Sequence, residues 1–211
     1  MSVWAIRACI LYLLPVSLAQ ANVIQFLDKS GSPVSDVVVT YEGERSTSDS
    51  AVEVMDQKDK QFVPHVLVIN KGQQVSFPNS DNIRHHVYSF SDTRPFELKL
   101  YHGEDTAPVL FDQAGVVALG CNIHDRMVGY IYVSNNLPAS KSGAEGKVTV
   151  PDNISTITVW HPQLDVYHSK QLTYELSGQR SDVITLSLVA IPSQQTGEGT
   201  FGNRKFGNSG S

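Results

Sequence analysis

The chain has 211 residues, of which 41% are hydrophobic, 18% charged and 9% aromatic. That composition is ordinary for a globular protein; it excludes a collagen-like, coiled-coil or wholly disordered chain and fits one or two small domains. Lys and Arg number 16 against 21 Asp and Glu, a net charge of −5, with no run of basic residues. A nucleic-acid role is therefore disfavoured, since neutralising phosphates takes clustered cations, whereas an acidic surface suits a basic protein partner.

Met1 to Arg7 is a short cationic start, Ala8 to Leu18 an apolar run containing Pro15, and Ala19-Gln20-Ala21 an A-x-A cleavage site. This pattern predicts a signal peptide over residues 1–21, export to the periplasm and a mature chain starting at Asn22. The apolar run is shorter than the roughly 20 residues that span a bilayer, and no later stretch approaches that length, so no membrane span is expected. Lipidation at Cys9 is opposed by Arg7 just ahead of it, with most of the apolar residues following. Cleavage removes Arg7 and Cys9, which makes the net charge one unit more negative and leaves Cys121 as the single cysteine. In an oxidising compartment a lone thiol is a liability unless buried or occupied, and metal ligation would occupy it.

Short β-type runs recur along the chain at Val23–Leu27, Val37–Tyr41, Ala51–Met55, Val66–Ile69, Gln74–Phe77 and His86–Phe90. They continue at Phe96–Leu100, Gly115–Leu119, Val128–Val133, Lys147–Val150, Thr156–Trp160 and Val183–Val189. Gly, Pro, Asn, Asp and Ser separate them, and no comparably long 3.6-residue period appears, so the expected fold is all-β, one or two β-sandwiches. Ser134 to Glu145, with Pro138 and Gly143, reads as a linker or long loop between two strand sets. From Ser193 the Gly-, Ser- and Asn-rich sequence has no apolar pattern and is expected to be a disordered tail over 193–211.

Val23–Asp28, the turn Gly31-Ser32-Pro33-Val34 and Val37–Val39 resemble the opening of carboxypeptidase-regulatory-like (transthyretin-like) domains. Gly146–Val150 and Ile157–Pro162 resemble the remainder of such a domain. The resemblance implies a small sandwich over 135–192, completed by the opening strands of 22–45 and interrupted by the segment 46–134.

The chemistry gathers around the lone cysteine. Gly120-Cys121-Asn122-Ile123-His124-Asp125-Arg126-Met127 spaces a soft thiolate, an imidazole and a thioether at intervals of three. Upstream, the polar turn Pro78 to Arg84 delivers a further imidazole at His85 or His86. Adjacent strand residues face opposite ways, so one of the two points inward. Two His, one Cys and a weak thioether suit a copper electron-transfer site, whereas tetrahedral zinc wants four strong ligands.

The Cys-x2-His-x2-Met loop resembles the short ligand loop of amicyanin within the cupredoxin (blue copper) family. Pro64–Ile69 and Lys71–Phe77 are similar to the paired strands ahead of that family's first ligand histidine. The likeness spans about 51–134 and extends to the subgroup named plastocyanin-like or methylamine-utilization proteins. It implies a Greek-key sandwich over 46–134 holding one type 1 copper ion, with His85, Cys121 and His124 as equatorial ligands and Met127 as the axial one. Two positions depart from the family pattern: Arg84-His85-His86 stands where Pro-His-Asn is usual, and Asn122 where a small hydroxyl residue follows the cysteine. An exchanged brace, His86 against Asn122, is the expected compensation. Ile123, Val128 and Val87 are the candidate apolar shell.

The other histidines, His65, His102, His161 and His168, lack a ligand pattern and read as surface or packing residues. Trp160 reads as core of the second sandwich, and Glu104, Asp105 and Asp125 as solvated loop carboxylates with no nucleophile beside them. The resemblance implies one-electron transfer through the His124 edge to a redox protein such as a cytochrome or dehydrogenase, and no enzymatic activity, because such a site leaves no open position for substrate. A copper carrier would use the same ligands but expose them. A third reading, an interaction module on the second sandwich, needs Trp160, Tyr167 and Tyr174 exposed together.

Overall fold

The computed structural model describes residues 21–44, 51–103, 106–179 and 181–190. The predicted signal peptide except Ala21, the tail from Ser193, and Glu104 and Asp105 lie outside the described residues.

The first eight strands are β1 (Ala21–Asp28), β2 (Val38–Thr40), β3 (Glu53–Val54), β4 (Asp56–Lys58), β5 (Gln61–Val63), β6 (Val66–Asn70), β7 (Gln74–Ser76) and β8 (His85–Ser89). Next come β9 (Phe96–Tyr101), β10 (Val109–Leu110), β11 (Gly115–Cys121), β12 (Val128–Ser134) and β13 (Ala139–Lys141). The last four are β14 (Lys147–Pro151), β15 (Thr156–Trp160), β16 (Gln171–Glu175) and β17 (Ser181–Leu186). The all-β expectation holds, with no helix among the described residues.

A five-stranded sheet, in the order β6-β12-β11-β8-β9, and a three-stranded sheet, β10-β7-β3, enclose one core that includes Phe62, Phe77, Val87, Phe111, Leu119 and Ile131. A second core, with Ile24, Phe26, Val39, Val148, Ile157 and Leu186, lies between β14-β1-β17 and β13-β2-β15-β16. Strand β1 pairs antiparallel with β14 and parallel with β17, while β2 pairs with β13 and β15. The described residues thus begin and end in the second core and form the first in between.

Period-2 alternation explains most of these strands: β14 buries Val148 and Val150 while Lys147, Thr149 and Pro151 face out. Strand β12 departs from it, with six of its seven residues buried. Ile131 and Val133 fill the first core, and Tyr130 and Tyr132 turn the other way into a third cluster with Trp160, Val38 and Val66. Both faces of β12 are dry because the second sandwich covers its outer side. Trp160 accordingly does not fill the second core as its sequence context suggests: Ile157 and Val159 face that core, and the next residue points to the opposite face, against the first sandwich. The expected linker over 134–145 contains an edge strand, β13. It pairs with β2, and Lys141 at its end donates to Val66 O at 2.6 Å and pairs with Asp36 at 2.8 Å.

His161, which follows Trp160, is 6% exposed. Burial, helped by the neighbouring His65 and opposed by Asp36, pulls its pKa down to about 4 from 6.5. Its Nδ1 accepts the Gln163 N–H at 3.1 Å, a bond that a protonated ring cannot make. A group whose folded pKa is depressed in this way takes up protons in the unfolded chain first, so its contribution falls as pH drops from 6.5 toward 4. Up to about 3 kcal/mol of unfolding free energy is expected to be lost across that window. Urea denaturation at pH 7 and pH 5 should show the loss in the native chain, and a much smaller one in His161→Gln.

Candidate metal centre

Strands β8 and β11 run antiparallel with Cys121 opposite Val87. Inward positions on β8 are His85, Val87 and Ser89, all buried, so His85 lies one inward step from the residue facing Cys121. His85 opens its strand, Cys121 closes its own, and the loop from Asn122 to Met127 returns over that end. Two turns shape the loop: His124 N donates to Cys121 O at 3.4 Å and Met127 N to His124 O at 2.9 Å.

The side chains converge. Cys121 Sγ is 3.7 Å from His85 Nδ1 and 3.9 Å from His124 Nδ1, and the three donor atoms all lie within 4.8 Å of one another. The imidazole rings are 5.0 Å apart between centroids. His85 is wholly buried, Cys121 is 4% exposed and Met127 1%, with Met127 and Cys121 in the same core cluster. His124 is only partly covered. Burial, the His85 ring and the Lys60 ammonium hold the His124 pKa below its ordinary value against the pull of Asp81, which favours the neutral imidazole that metals bind.

These residues fit a first-row metal ion. Metal bonds of about 2.0 Å to nitrogen and about 2.3 Å to sulfur span roughly 3.7 Å when they meet at a trigonal angle, and the sulfur-to-nitrogen separations are 3.7 and 3.9 Å. One thiolate with two imidazoles and a buried thioether beside them suits a trigonal site with a weak fourth ligand, whereas structural zinc takes four strong donors in a tetrahedron.

A surrounding shell fixes the donors. His85 presents Nδ1 to the sulfur and Nε2 to Asp81 Oδ2 at 2.7 Å, so one tautomer and one ring orientation are set. Asp81 is itself anchored, accepting the backbone N–H groups of Asp59 at 2.7 Å and Lys60 at 3.0 Å. Those two residues make the tight turn between β4 and β5, both at positive φ (54° and 59°), the geometry of a type I′ hairpin turn. Burial works against the Asp81 carboxylate, yet the N–H of Lys60, His85 and the N–H of Asp59 together keep its pKa below the ordinary value. Behind it, Asn79 donates to Ile83 O at 2.9 Å and Tyr101 O at 3.1 Å, pinning the turn that delivers His85. Asp81 carries no metal-ligand signature; only its position four residues before a ligand candidate could have marked it.

The expected brace is present. Asn122 Nδ2 and His86 Nδ1 are 3.1 Å apart, and His86 Nε2 lies 2.9 Å from Glu97 Oε1, a close polar contact not aligned as a hydrogen bond. Of the expected apolar shell, Val87 is wholly buried, but Ile123 is 48% and Val128 38% exposed. They follow or precede loop turns that face outward, so they flank the site at the surface instead of lining it. His102, His65 and Asp125 are exposed, and His168 packs edge-on against Tyr130. Among the described residues no other group of three metal-binding side chains converges.

Asp81→Asn tests the anchor, since an amide cannot accept from both turn residues and the histidine through two oxygens. Copper affinity is expected to fall about 10- to 100-fold, the usual effect of losing an outer partner of a ligand histidine. Competitive titration against a copper chelator would measure it.

No protein-family model matches the chain, and no curated protein matches its sequence. Solved structures do. The copper-containing nitrite reductase of Thermus scotoductus SA-01 is 21% identical, with a TM-score of 0.39 over 46% of this chain and 25% of that one. The match therefore spans about a quarter of the reductase's length. A reduced amicyanin variant is 20% identical, with a TM-score of 0.36 over 46% of this chain and 98% of its own. A purple cupredoxin from Nitrosopumilus maritimus is 21% identical, with a TM-score of 0.35 over 40% of this chain and 100% of its own.

Proposed function

We propose that the protein is a periplasmic mononuclear copper protein of the type 1 kind that passes single electrons between redox proteins, with His85, Cys121, His124 and Met127 as its ligands. The observation that carries this reading is the convergence of one thiolate and two imidazole nitrogens within 4.8 Å of each other in a buried, braced pocket. Bound copper supplies the one-electron couple. The chain's residues hold the donor geometry through the two oxidation states: Asp81 fixes His85, the paired strands fix Cys121, and Asn122 is tied to His86. Burial of His85, Cys121 and Met127 keeps water from the donors, and the partly covered His124 is the edge nearest solvent.

No enzymatic role is assigned, because three strong donors and one weak one leave no position for substrate. The partner would be a redox protein with a basic face, such as a cytochrome or dehydrogenase, docking weakly and with salt sensitivity. Export rests on the leader-like residues 1–21, and the likeness of the ligand loop to the methylamine-utilization subgroup leaves the pathway open. The second sandwich would be a carboxypeptidase-regulatory-like module that buttresses β12.

Visible absorption and electron spin resonance of the chain titrated with Cu(II), beside Cys121→Ser, test the proposal. It requires an intense thiolate-to-copper band that saturates at one copper per chain, vanishes on reduction and is absent from the variant. Weak binding that ignores the cysteine would sink it. Rapid Cu(I) transfer to an acceptor with little electron self-exchange would mark a carrier instead.

A further inference from the structure

Beside the Trp160 contact the two sandwiches part, leaving a cleft of about 430 Å³ whose lining comes from both. That volume lies within the roughly 300–1,000 Å³ of small-molecule sites. From the first sandwich the lining includes Phe90, Ser91, Asp92 and Thr93; from the second, Tyr167 and Gln171. We propose that this cleft binds a neutral oligosaccharide of gluco-type pyranose rings, held between Phe90 and Tyr167.

The first support is the exposure of the two rings. Phe90 is 85% and Tyr167 84% exposed, while Trp160 is wholly buried and Tyr174 packs on the second core. Two bare aromatic rings on the rim of one cleft are costly to hydrate unless something covers them.

The second support is that both are held in place. Phe90 packs against Tyr88 with centroids 5.0 Å apart and the ring planes tilted by 42°. Tyr167 sits in a loop knotted by Asp165, whose Oδ1 accepts the N–H of Ser169 and of Lys170, each at 3.0 Å, and whose Oδ2 accepts that of Tyr167 at 3.3 Å. His168 takes φ +58°, left-handed and rare for a non-glycine residue, and its ring Nδ1 is 2.6 Å from Pro162 O. Trp160 Nε1 donates to His168 O at 2.8 Å, tying the loop to the interface. A backbone fixed in this way narrows where the Tyr167 ring can lie, which lowers the cost of ordering it on binding.

The third support is the chemistry of the lining. A gluco-type ring with equatorial hydroxyls has broad C–H faces, which meet the electron-rich faces of aromatic rings, and an equator of hydroxyls that need hydrogen-bond partners. The hydroxyls of Ser91 and Thr93, the Asp92 carboxylate and the Gln171 amide supply such partners along the cleft. Ser91 Oγ already accepts the Ala118 N–H at 2.9 Å, which leaves its proton to donate. Gly115, at φ +142°, lets the Thr93 hydroxyl approach closely, since a Cβ there would lie 2.6 Å from its Oγ1. Asp92 is the formally charged member of the lining and neither Lys nor Arg belongs to it, so acidic sugars and phosphates are disfavoured.

The experiment is calorimetric titration of the full chain with cellotetraose and with chitotetraose, with hyaluronan tetrasaccharide as the acidic control. Saturable binding of at least one neutral chain is expected, with none of the acidic one. Phe90→Ala and Tyr167→Ala should each weaken it roughly tenfold, the effect of losing one stacked ring. Tyr167→Phe keeps the ring and should bind nearly as the native chain does, which separates stacking from loop damage, and thermal melts check that each variant folds. Cys121→Ser should bind the sugar unchanged, so failure here is distinguishable from failure of the copper proposal. The inference is overturned if neither neutral chain binds at millimolar concentration, if the acidic chain binds as well as they do, or if both alanine variants bind as tightly as the native protein.

Discussion

His85→Ala is expected to abolish the thiolate-to-copper absorption, whereas His86→Ala should retain the band with weaker metal binding. Though adjacent, the two histidines occupy opposite sides of β8. His85 faces inward, wholly buried, with one ring nitrogen 3.7 Å from the thiol sulfur and the other on Asp81 at 2.7 Å. Its loss removes one of three strong donors and leaves the Asp81 carboxylate beside an empty space, though still satisfied by two backbone N–H groups. The affinity loss should exceed the ~10- to 100-fold that accompanies removal of an outer partner. His86 is such an outer partner, reaching the site through Asn122 at 3.1 Å and tied to Glu97 at 2.9 Å. Removing it frees the residue after Cys121 without touching a donor. Copper titrations of the two variants, read by visible absorption and chelator competition, check the contrast. A colourless His86→Ala beside a coloured His85→Ala would assign the ligand to His86.

That division was legible in the sequence only as far as strand alternation reaches. Alternation says that one of two adjacent histidines points inward, and the Cys121–Met127 loop identifies where that one must go. The compensating contact between His86 and Asn122 was legible as well, because both depart from the family pattern and a departure on one side invites one on the other. Asp81 was not. Its role depends on the turn at Asp59 and Lys60, over twenty residues earlier, whose positive φ values aim two N–H groups at one carboxylate. Nothing local in Asn79-Ser80-Asp81 announces that meeting.

The strands that escaped sequence reading share a cause. Strands β10, β13, β16 and the β4–β5 hairpin are short or lie at sheet edges, and all but β10 carry polar residues such as Ser140, Lys141, Thr173 and Gln57. Their backbones are specified by a neighbour's unpaired groups rather than by an apolar face of their own. Conversely, an apolar run such as Val128–Ser134 shows that a strand is buried without showing on how many sides. The contacts with Trp160, Val38 and His168 explain why Tyr130 and Tyr132 are covered.

Trp160→Ala is therefore expected to have the largest effect on stability, about 3–5 kcal/mol, the range for truncating a fully buried large aromatic residue. The indole meets Tyr132 at 5.5 Å and Tyr130 at 6.0 Å between centroids, and its N–H holds His168 O at 2.8 Å. One substitution thus removes the indole contact with Tyr130 and Tyr132 between the sandwiches and the tether of the 161–170 loop. The proposed ligands belong to the first sandwich, away from Trp160, so a copper-loaded variant should keep its visible band while its urea midpoint falls. Hydrogen exchange should accelerate first around His168, where the tether is lost, and along the outer face of β12. Trp160→Phe separates the contributions: it keeps most of the ring contact but leaves His168 O without its donor, and should cost about 1–3 kcal/mol. Equal losses in the two variants would place the energy in the hydrogen bond, whereas a loss in Trp160→Ala alone would place it in the packing that joins the two sandwiches.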